Sequence, residues 1–498
     1  MELQFEKKSC ACLRRNVWEV QNLEQTQEVR LSEGMPDIGT VLGVWGQCVM
    51  RGKEWRGDGM TVSGGVMAWV LYAPADGSEP RAIEVWLPVQ AKWSFPDSKR
   101  EGTIRTSWLL KGVDARTISA RKMMVRANAA ILGEALEPWE AEISVPGELP
   151  EDVQLLRRTY PMQLPKEAGE KAFLVDEELT LPHSAVAPEK IISCMLMPRV
   201  TERKVLGGKA VFRGDGNFHM LYRGVDGQLY SADFEVPFSQ FSDLDRDYDK
   251  EATLSVMMAV SSLEPELQEG SVRLKSGLVA QYLVIDQEMV ELVEDAYSPN
   301  RDVRVEMKNL ELPTVLDMTR EIMTGEASLD AQAERVVDLV PYPQYPMLRR
   351  AGDLAELEAG GAVQMLYYDE NGVLQGSTAR WNDVWEYPAG ENAAVLAHIM
   401  DVSQPSASVG GGQIRAGMEI EMELMTIAQQ GIPMITALEL GEMARPDPAR
   451  PSLVLRRAGE ESLWELAKST GSTVDAIRKA NALTDEPLDD RLLLIPVS

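Results

Sequence analysis

The chain has 498 residues, 44% of them hydrophobic and 26% charged. That is a globular composition, and at roughly 100–200 residues per domain it implies three or four domains. Its 50 Lys and Arg stand against 78 Asp and Glu, and a net charge of −28 makes nucleic acid and anionic lipid poor partners.

The acidic surplus is uneven. Residues 1–150 carry 18 basic and 20 acidic side chains and residues 451–498 carry 6 and 8, so nearly all of the excess lies between them. The opening residues hold no apolar leader stretch, and no run of eighteen apolar residues offers a membrane span. Four cysteines in so long a chain make no disulfide framework, and the expectation is a reduced, cytosolic protein. Cys10 and Cys12 are too few to hold a metal and read as incidental thiols near the terminus. Eight of the eleven tryptophans fall in residues 1–150. Most should pack in a core, with one or two exposed to stack on a sugar or anchor an interface.

One phrase recurs along the chain. Ala68–Gly77 (AWVLYAPADG) is answered by His219–Gly227 (HMLYRGVDG) and by Gln364–Gly372 (QMLYYDENG). Each is a strand pattern running into Asp-Gly or Asn-Gly, which signals a hairpin with a primed turn. Tyr72, Tyr222 and Tyr367 are spaced by 150 and 145 residues. A second phrase follows at the same period: Ile83–Val89 (IEVWLPV), Phe234–Phe238 (FEVPF) and a degenerate Ala379–Pro388 (ARWNDVWEYP). Its alternation meets a proline, as in a strand nearing its end. A third phrase begins at Arg121, Arg273 and Arg415. Three phrases in one order indicate three homologous β domains in series, since the period far exceeds solenoid repeats of about 20–50 residues.

Strand pattern fails in three stretches, which read as links or turns: Glu137–Pro150, Pro341–Pro346 and Pro446–Pro451. Leu316–Met323 could form a short helix. The expected domains are residues 1–150, 151–305, 306–446 and 451–498. The three β domains are expected to be sandwich-like, so that the chain is mainly β.

Residues 453–496 read as strand, helix, helix and strand. Leu463, Leu466 and Ala467 share a helix face, Gly471 suits a left-handed helix end, and Ser472–Asp475 offers a capping-box start whose Val474, Ile477 and Ala480 would face inward. Catalytic and metal patterns are weak elsewhere. His183, His219 and His398 are scattered and read as surface or turn residues. Asp243–Asp249 has calcium-loop spacing, but Tyr248 and Leu254 stand where Gly and Glu are required, so it reads as a solvated acidic loop. Gly207-Gly208-Lys209 and Gly410–Gly412 fit no phosphate loop. The expectation is therefore no cofactor and no enzyme.

The repeated phrases, with Phe234–Phe241 and Pro36-Asp37-Ile38 as further marks, resemble the SPOCS domain of endospore-forming bacteria over most of residues 26–442. The C-terminal segment resembles LysM, through Leu463-Trp464, Lys479-Ala480-Asn481 and Leu494-Ile495-Pro496. It departs from that pattern at Glu460-Glu461 and at Asp489-Asp490. Together the two resemble spore-coat assembly proteins of the SipL type. That resemblance implies a mother-cell scaffold at the forespore surface, with no catalysis. Its LysM domain would bind the coat-basement ATPase or another coat protein. The alternative is a GlcNAc-containing glycan, as in peptidoglycan or chitin. The binding residues it implies are Gly459, Glu460, Glu461 and Ser462 in one loop, and Asn481, Ala482, Leu483, Thr484, Asp489 and Asp490 in the other. Trp464 would be partly core.

Overall fold

The computed structural model of the protein describes residues 2–96, 98, 100–352, 354–390, 392–403, 405–429, 431–444, 451–459, 461–483 and 491–497. The chain is mainly β, and the two helices among the described residues lie near the C-terminus. One order of elements occurs three times. After β1 (Glu2–Gln4), the first pass has a long strand β2 (Glu6–Arg30) and a meander β3 (Ile38–Arg56), β4 (Gly59–Pro74) and β5 (Arg81–Ser94). It closes with β6 (Thr103–Ser119) and a second long strand, β7 (Lys122–Val145). The second pass is β8 (Gln154–Thr180), β9 (Pro188–Val205), β10 (Lys209–Gly224), β11 (Leu229–Asp243), β12 (Thr253–Gln268) and β13 (Ser271–Tyr297). After β14 (Val303–Leu310) comes the third: β15 (Val315–Asp330), β16 (Ala333–Pro343), β17 (Met347–Ala351), β18 (Leu354–Asp369), β19 (Leu374–Pro388), β20 (Ala393–Val402), β21 (Ser406–Gly410) and β22 (Gln413–Ala428). The chain then runs through β23 (Ile432–Leu440), β24 (Leu453–Arg457), α1 (Leu463–Thr470), α2 (Val474–Asn481) and β25 (Leu492–Pro496).

In each pass the second long strand lies antiparallel between the first and an intervening strand, giving β2-β7-β6, β8-β13-β12 and β15-β22-β20. The meander forms a separate sheet that packs on this ladder. In the third pass Leu357, Ala359, Val363 and Met365 of β18 share a core with Ile414, Ala416, Met418 and Ile420 of β22. Every second residue faces inward, as the two-residue period of a pleated strand requires. Burying rows of Val, Ile, Leu and Met at about 25 cal/mol per Å² supplies the main driving force.

The passes are not insulated from one another. One apolar cluster holds Val70 and Val125 of the first pass, Phe212 and Leu274 of the second, and Tyr342 and Leu366 of the third. The second and third ladders also meet at Val315, opposite Gln163. The strand that follows the third pass closes back on the N-terminal strand, because β23 lies between β1 and β14 in one sheet.

The structure corrects several expectations. Pro88 and Pro237 lie inside β5 and β11 instead of ending them. Both strands are sheet edges, where a missing N–H leaves no partner unsatisfied. The hairpins form, but they are not primed turns: positive φ falls only on Gly77, Gly227 and Gly372, at +74°, +82° and +70°. Each glycine N–H closes the turn onto the carbonyl three residues back, that of Pro74, Gly224 or Asp369. One left-handed glycine after an ordinary turn thus does the work expected of a two-residue turn. Residues 137–145 continue β7, and Pro341 and Pro343 belong to β16. Leu316–Met323 is part of β15, because β22 offers its backbone a full antiparallel ladder. The basic phrase is out of register: Arg273 and Arg415 are third residues of β13 and β22, whereas Arg121 stands in the turn before β7.

The deepest feature is polar and joins all three passes. Arg105 of β6 is fully buried; its Nη1 donates to Glu134 of β7 at 2.9 Å and its Nη2 to Ser255 of β12 at 2.8 Å. Ser255 donates to Glu423 of β22 at 2.5 Å. Arg15 joins Glu134 at 2.7 Å, Arg203 of β9 pairs with Glu423, and His398 of β20 lies 3.8 Å from the same carboxylate. Desolvation raises the Glu423 pKa, but Arg203, Ser255 and Arg105 outweigh it and hold the carboxyl below its usual value. Burial, aided by Arg105 and Arg203, lowers His398 to about 4 against the pull of Glu423 and Glu134, so its imidazole stays neutral.

A second buried histidine does the opposite. His219 of β10 sits 2.7 Å from both Asp233 and Asp338, joining the second pass to the third. Desolvation lowers its pKa, but the two carboxylates overcome this and raise it to about 10. Neither histidine is the surface residue expected, although His183 is exposed in the 181–187 loop.

Removing one partner of a buried ion pair strands the other charge, at about 3–5 kcal/mol. Glu423→Leu should therefore lower unfolding stability by about that much in a denaturant titration. The histidines give opposite pH slopes. The His219 contribution is complete below pH 6.5 and is lost as pH rises toward about 10. The His398 contribution is complete above pH 6.5 and is lost as pH falls toward about 4. Histidine NMR should find His219 protonated at pH 8 and His398 neutral at pH 5.5; the same titration for both would contradict the network.

Candidate functional site

The C-terminal residues form a small module in the expected strand-helix-helix-strand order. β24 and β25 pair antiparallel, with Leu455 opposite Leu494. Ser462 caps α1 in a complete capping box with Glu465, satisfying helix-end donors from both directions. Gly471 ends α1 in the left-handed conformation at φ +66°, and the N–H of Ser472 reaches the Ala467 carbonyl. Leu463, Leu466, Ala467, Ile477, Leu493 and Ile495 make the core.

Two details differ from expectation. The second helix is capped by Thr473, whose hydroxyl accepts from Ala476 N–H at 3.1 Å, while the Ser472 hydroxyl is spent on the Pro496 carbonyl. Ala480 is exposed, so α2 contributes Ile477 and a partly buried Val474 to the core.

Most of the expected binding residues that the structure describes are engaged in holding the module together. Ser462 is a cap. Glu461 pairs with Arg456 at 2.9 Å. The Asn481 amide ties α2 to β25, donating to the Ile477 carbonyl at 2.8 Å and the Leu494 carbonyl at 2.6 Å while accepting from Leu494 N–H at 2.7 Å. Ala482 ends α2 at φ +52°, a conformation that an alanine adopts at a cost. Leu483 packs on the core, and Gly459 is exposed with open space around it. Gly459 and Ala482 thus mark the exposed part of the two loops. Glu460, Thr484, Asp489 and Asp490 lie outside the described residues.

The module is seated on the end of β13. Trp464 donates its indole N–H to Asp295 at 2.7 Å, and Lys468, one turn later on α1, reaches the same carboxylate at 2.7 Å. The Trp464 and Tyr297 rings meet edge to face with centroids 4.8 Å apart. The Tyr297 hydroxyl donates to the Ser472 carbonyl at 3.0 Å. Trp464 is therefore partly core, as expected, and it is also the anchor of an intramolecular interface. Sequence reasoning missed Asp295 and Tyr297. The one available signal was a Trp and a Lys four residues apart on the same side of α1; the partners lie 169 and 173 residues away.

Other candidates dissolve into the core. All four cysteines are free and buried, and burial pushes Cys12 and Cys48 to about 12. Cys10 and Cys12 are thus strand residues in an apolar cluster, not loose terminal thiols. None of the tryptophans is exposed, contrary to the expectation of one or two. Asp243–Asp249 is solvent-facing as expected, with only Leu244 and Tyr248 among its non-acidic members partly buried. Among the described residues no cluster of three or more His, Cys, Asp or Glu is arranged to hold a metal ion. Among those residues, too, no helix is long and apolar enough to cross a membrane.

Residues 188–267, which span β9 to β12, match the family described as SipL, SPOCS domain. No curated protein and no solved structure matches the chain.

Asp295→Ala removes the shared acceptor of Trp464 and Lys468. The module keeps its own caps and core, so it should stay folded while losing its seat. Faster tumbling of α1 and α2 amides than of β13 amides would register the release, and an unchanged relaxation profile would show that Asp295 does not hold the module.

Proposed function

We propose that this protein is a non-enzymatic spore-coat scaffold of the SipL type, acting in the mother cell at the forespore surface. In this reading three SPOCS-type β domains form the body and a LysM domain binds a coat protein. The observation that carries it is the segment matching the SPOCS family: its meander followed by a ladder strand has counterparts before and after it in the same order. A buried network that ties the three passes together suits a load-bearing body, since no pass can shift without stranding a charge.

A coat protein, such as the coat-basement ATPase, is favoured over a glycan for two reasons. Trp464, the module's sole tryptophan, is committed within the chain, its N–H to Asp295 and its ring to an edge-to-face contact with Tyr297. The resemblance also places Glu460, Asp485, Glu486, Asp489 and Asp490 around the binding groove, with Glu461 already neutralised by Arg456. Such a rim gains little from a neutral sugar but steers a basic patch on a protein.

Binding of the full chain to the coat-basement ATPase should weaken about tenfold from low to high salt, and again on replacing Asp489 and Asp490 with Asn. Titration against that protein and against chitin oligomers tests this. Tight, salt-independent binding to the oligomers with none to the protein would overturn the reading.

A further inference from the structure

The sheet of β1, β23 and β14 ends in an open edge. β14 pairs with β23 on one side, and among the described residues no strand pairs with its other side. Two other edge strands, β5 and β11, carry a proline that blunts them, and β14 carries none. Its Val305 and Met307 are 38% and 46% exposed, on the same strand face as the partly buried Val303.

The bonds to β23 show which backbone groups face that open edge. Val303 stands opposite Leu440, so Asp302 stands opposite Gly441, whose N–H donates to the Asp302 carbonyl at 2.9 Å. Along an antiparallel strand the backbone groups alternate sides. Those of Arg304 and Glu306 therefore face β23, in keeping with the Thr436 hydroxyl that donates to the Glu306 carbonyl at 3.3 Å. Those of Val303, Val305 and Met307 face outward. The register shift between Glu306 and Met307 skips Thr436, so the extra residue belongs to β23 and β14 keeps its alternation.

Charge alternates along β14 as well. Asp302, Arg304, Glu306 and Lys308 are all exposed and run minus, plus, minus, plus. Arg304 reaches Glu439 at 3.7 Å and Lys308 reaches Glu306 at 3.6 Å, but solvated pairs of this kind are worth little and can re-form elsewhere. An antiparallel strand bonded to the open edge must match the outward residues 303, 305 and 307 with outward residues of its own. About a two-fold axis at Val305, Val303 meets Met307, Arg304 meets Glu306 and Asp302 meets Lys308. Apolar residues then oppose apolar ones and every charge opposes its opposite. Moving the axis to Arg304 or Glu306 sets like charges against each other.

We propose that β14 pairs antiparallel with β14 of a second copy of this chain, Val305 against Val305, joining two three-stranded sheets into one of six strands. The pairing is independent of what the C-terminal module binds.

The test is sedimentation equilibrium of the full chain between about 1 and 500 µM. So short a ladder is a small interface, and the expected dimer is weak, with a Kd on the order of 10–100 µM. Val305→Pro removes an N–H that faces away from β23, so it should abolish the dimer and leave thermal unfolding of the dilute chain unchanged. Glu306→Arg and Arg304→Glu each turn two attractive cross-strand pairs repulsive, and each should weaken the dimer about tenfold. Combining Arg304→Glu with Glu306→Arg exchanges the charges and should restore it. The proposal is overturned if the chain is monomeric throughout, if Val305→Pro leaves a dimer intact, or if the exchanged variant is as weak as the single ones. The charge variants decide the matter even if Val305→Pro does not fold.

Discussion

The structure turns on an ion pair that cannot reach water. Arg105 and Glu134 are both fully buried; Arg15 of the same pass also reaches Glu134, while Arg105 is linked across the passes through Ser255 to Glu423, which Arg203 pairs. Burying charges is expensive unless they are paired and hydrogen-bonded. Each pass therefore supplies something that another cannot leave unsatisfied. Apolar contacts could slide among equivalent arrangements of three similar β units, but a buried carboxylate accepts only the arrangement that brings its arginines to it. The network contributes specificity of assembly more than net stability.

The same constraint accounts for the two buried histidines. Around His398 burial is the largest influence, and Arg105 and Arg203 oppose the pull of Glu423 and Glu134, so a further positive charge is resisted and the ring stays neutral. Around His219 two carboxylates face one ring with no arginine between them, so the proton is retained. Two identical side chains in one protein hold opposite charge states because their neighbours differ. Both lie at joints between passes, which places titratable groups where β units meet and not on an exposed face.

The C-terminal module shows how a small domain can be legible in itself and illegible in its placement. Its Gly471 helix end, the apolar face of α1 and its closing strand are local, set by residues within a few positions of one another, and the sequence carried them, while it placed the α2 cap one residue early and turned Ala480 inward. The residues expected to bind a ligand were read by resemblance, and several of them turn out to hold the module together: Asn481 bridges α2 and β25, and Ser462 caps α1. Polar residues in short loops commonly serve backbone groups first, since helix ends leave donors and acceptors unpaired.

By itself the sequence determined what depends on neighbours along the chain. The alternation of β5, the glycine that turns each hairpin, the order of the meanders and the cap of α1 all follow from period-two burial, backbone sterics and helix-end hydrogen bonding. Leu316–Met323 was ambiguous because a short apolar stretch suits helix or strand until a partner such as β22 supplies the ladder. Only the tertiary structure decided that Arg105 meets Glu423 through Ser255, that His219 lies between Asp233 and Asp338, and that Trp464 rests on Asp295. The links Arg105–Ser255, Ser255–Glu423, His219–Asp338 and Trp464–Asp295 join residues 150, 168, 119 and 169 positions apart, and nothing in the local pattern of either partner marks the other. A buried charge is legible as an anomaly only once burial is known, and burial is a property of the assembled fold.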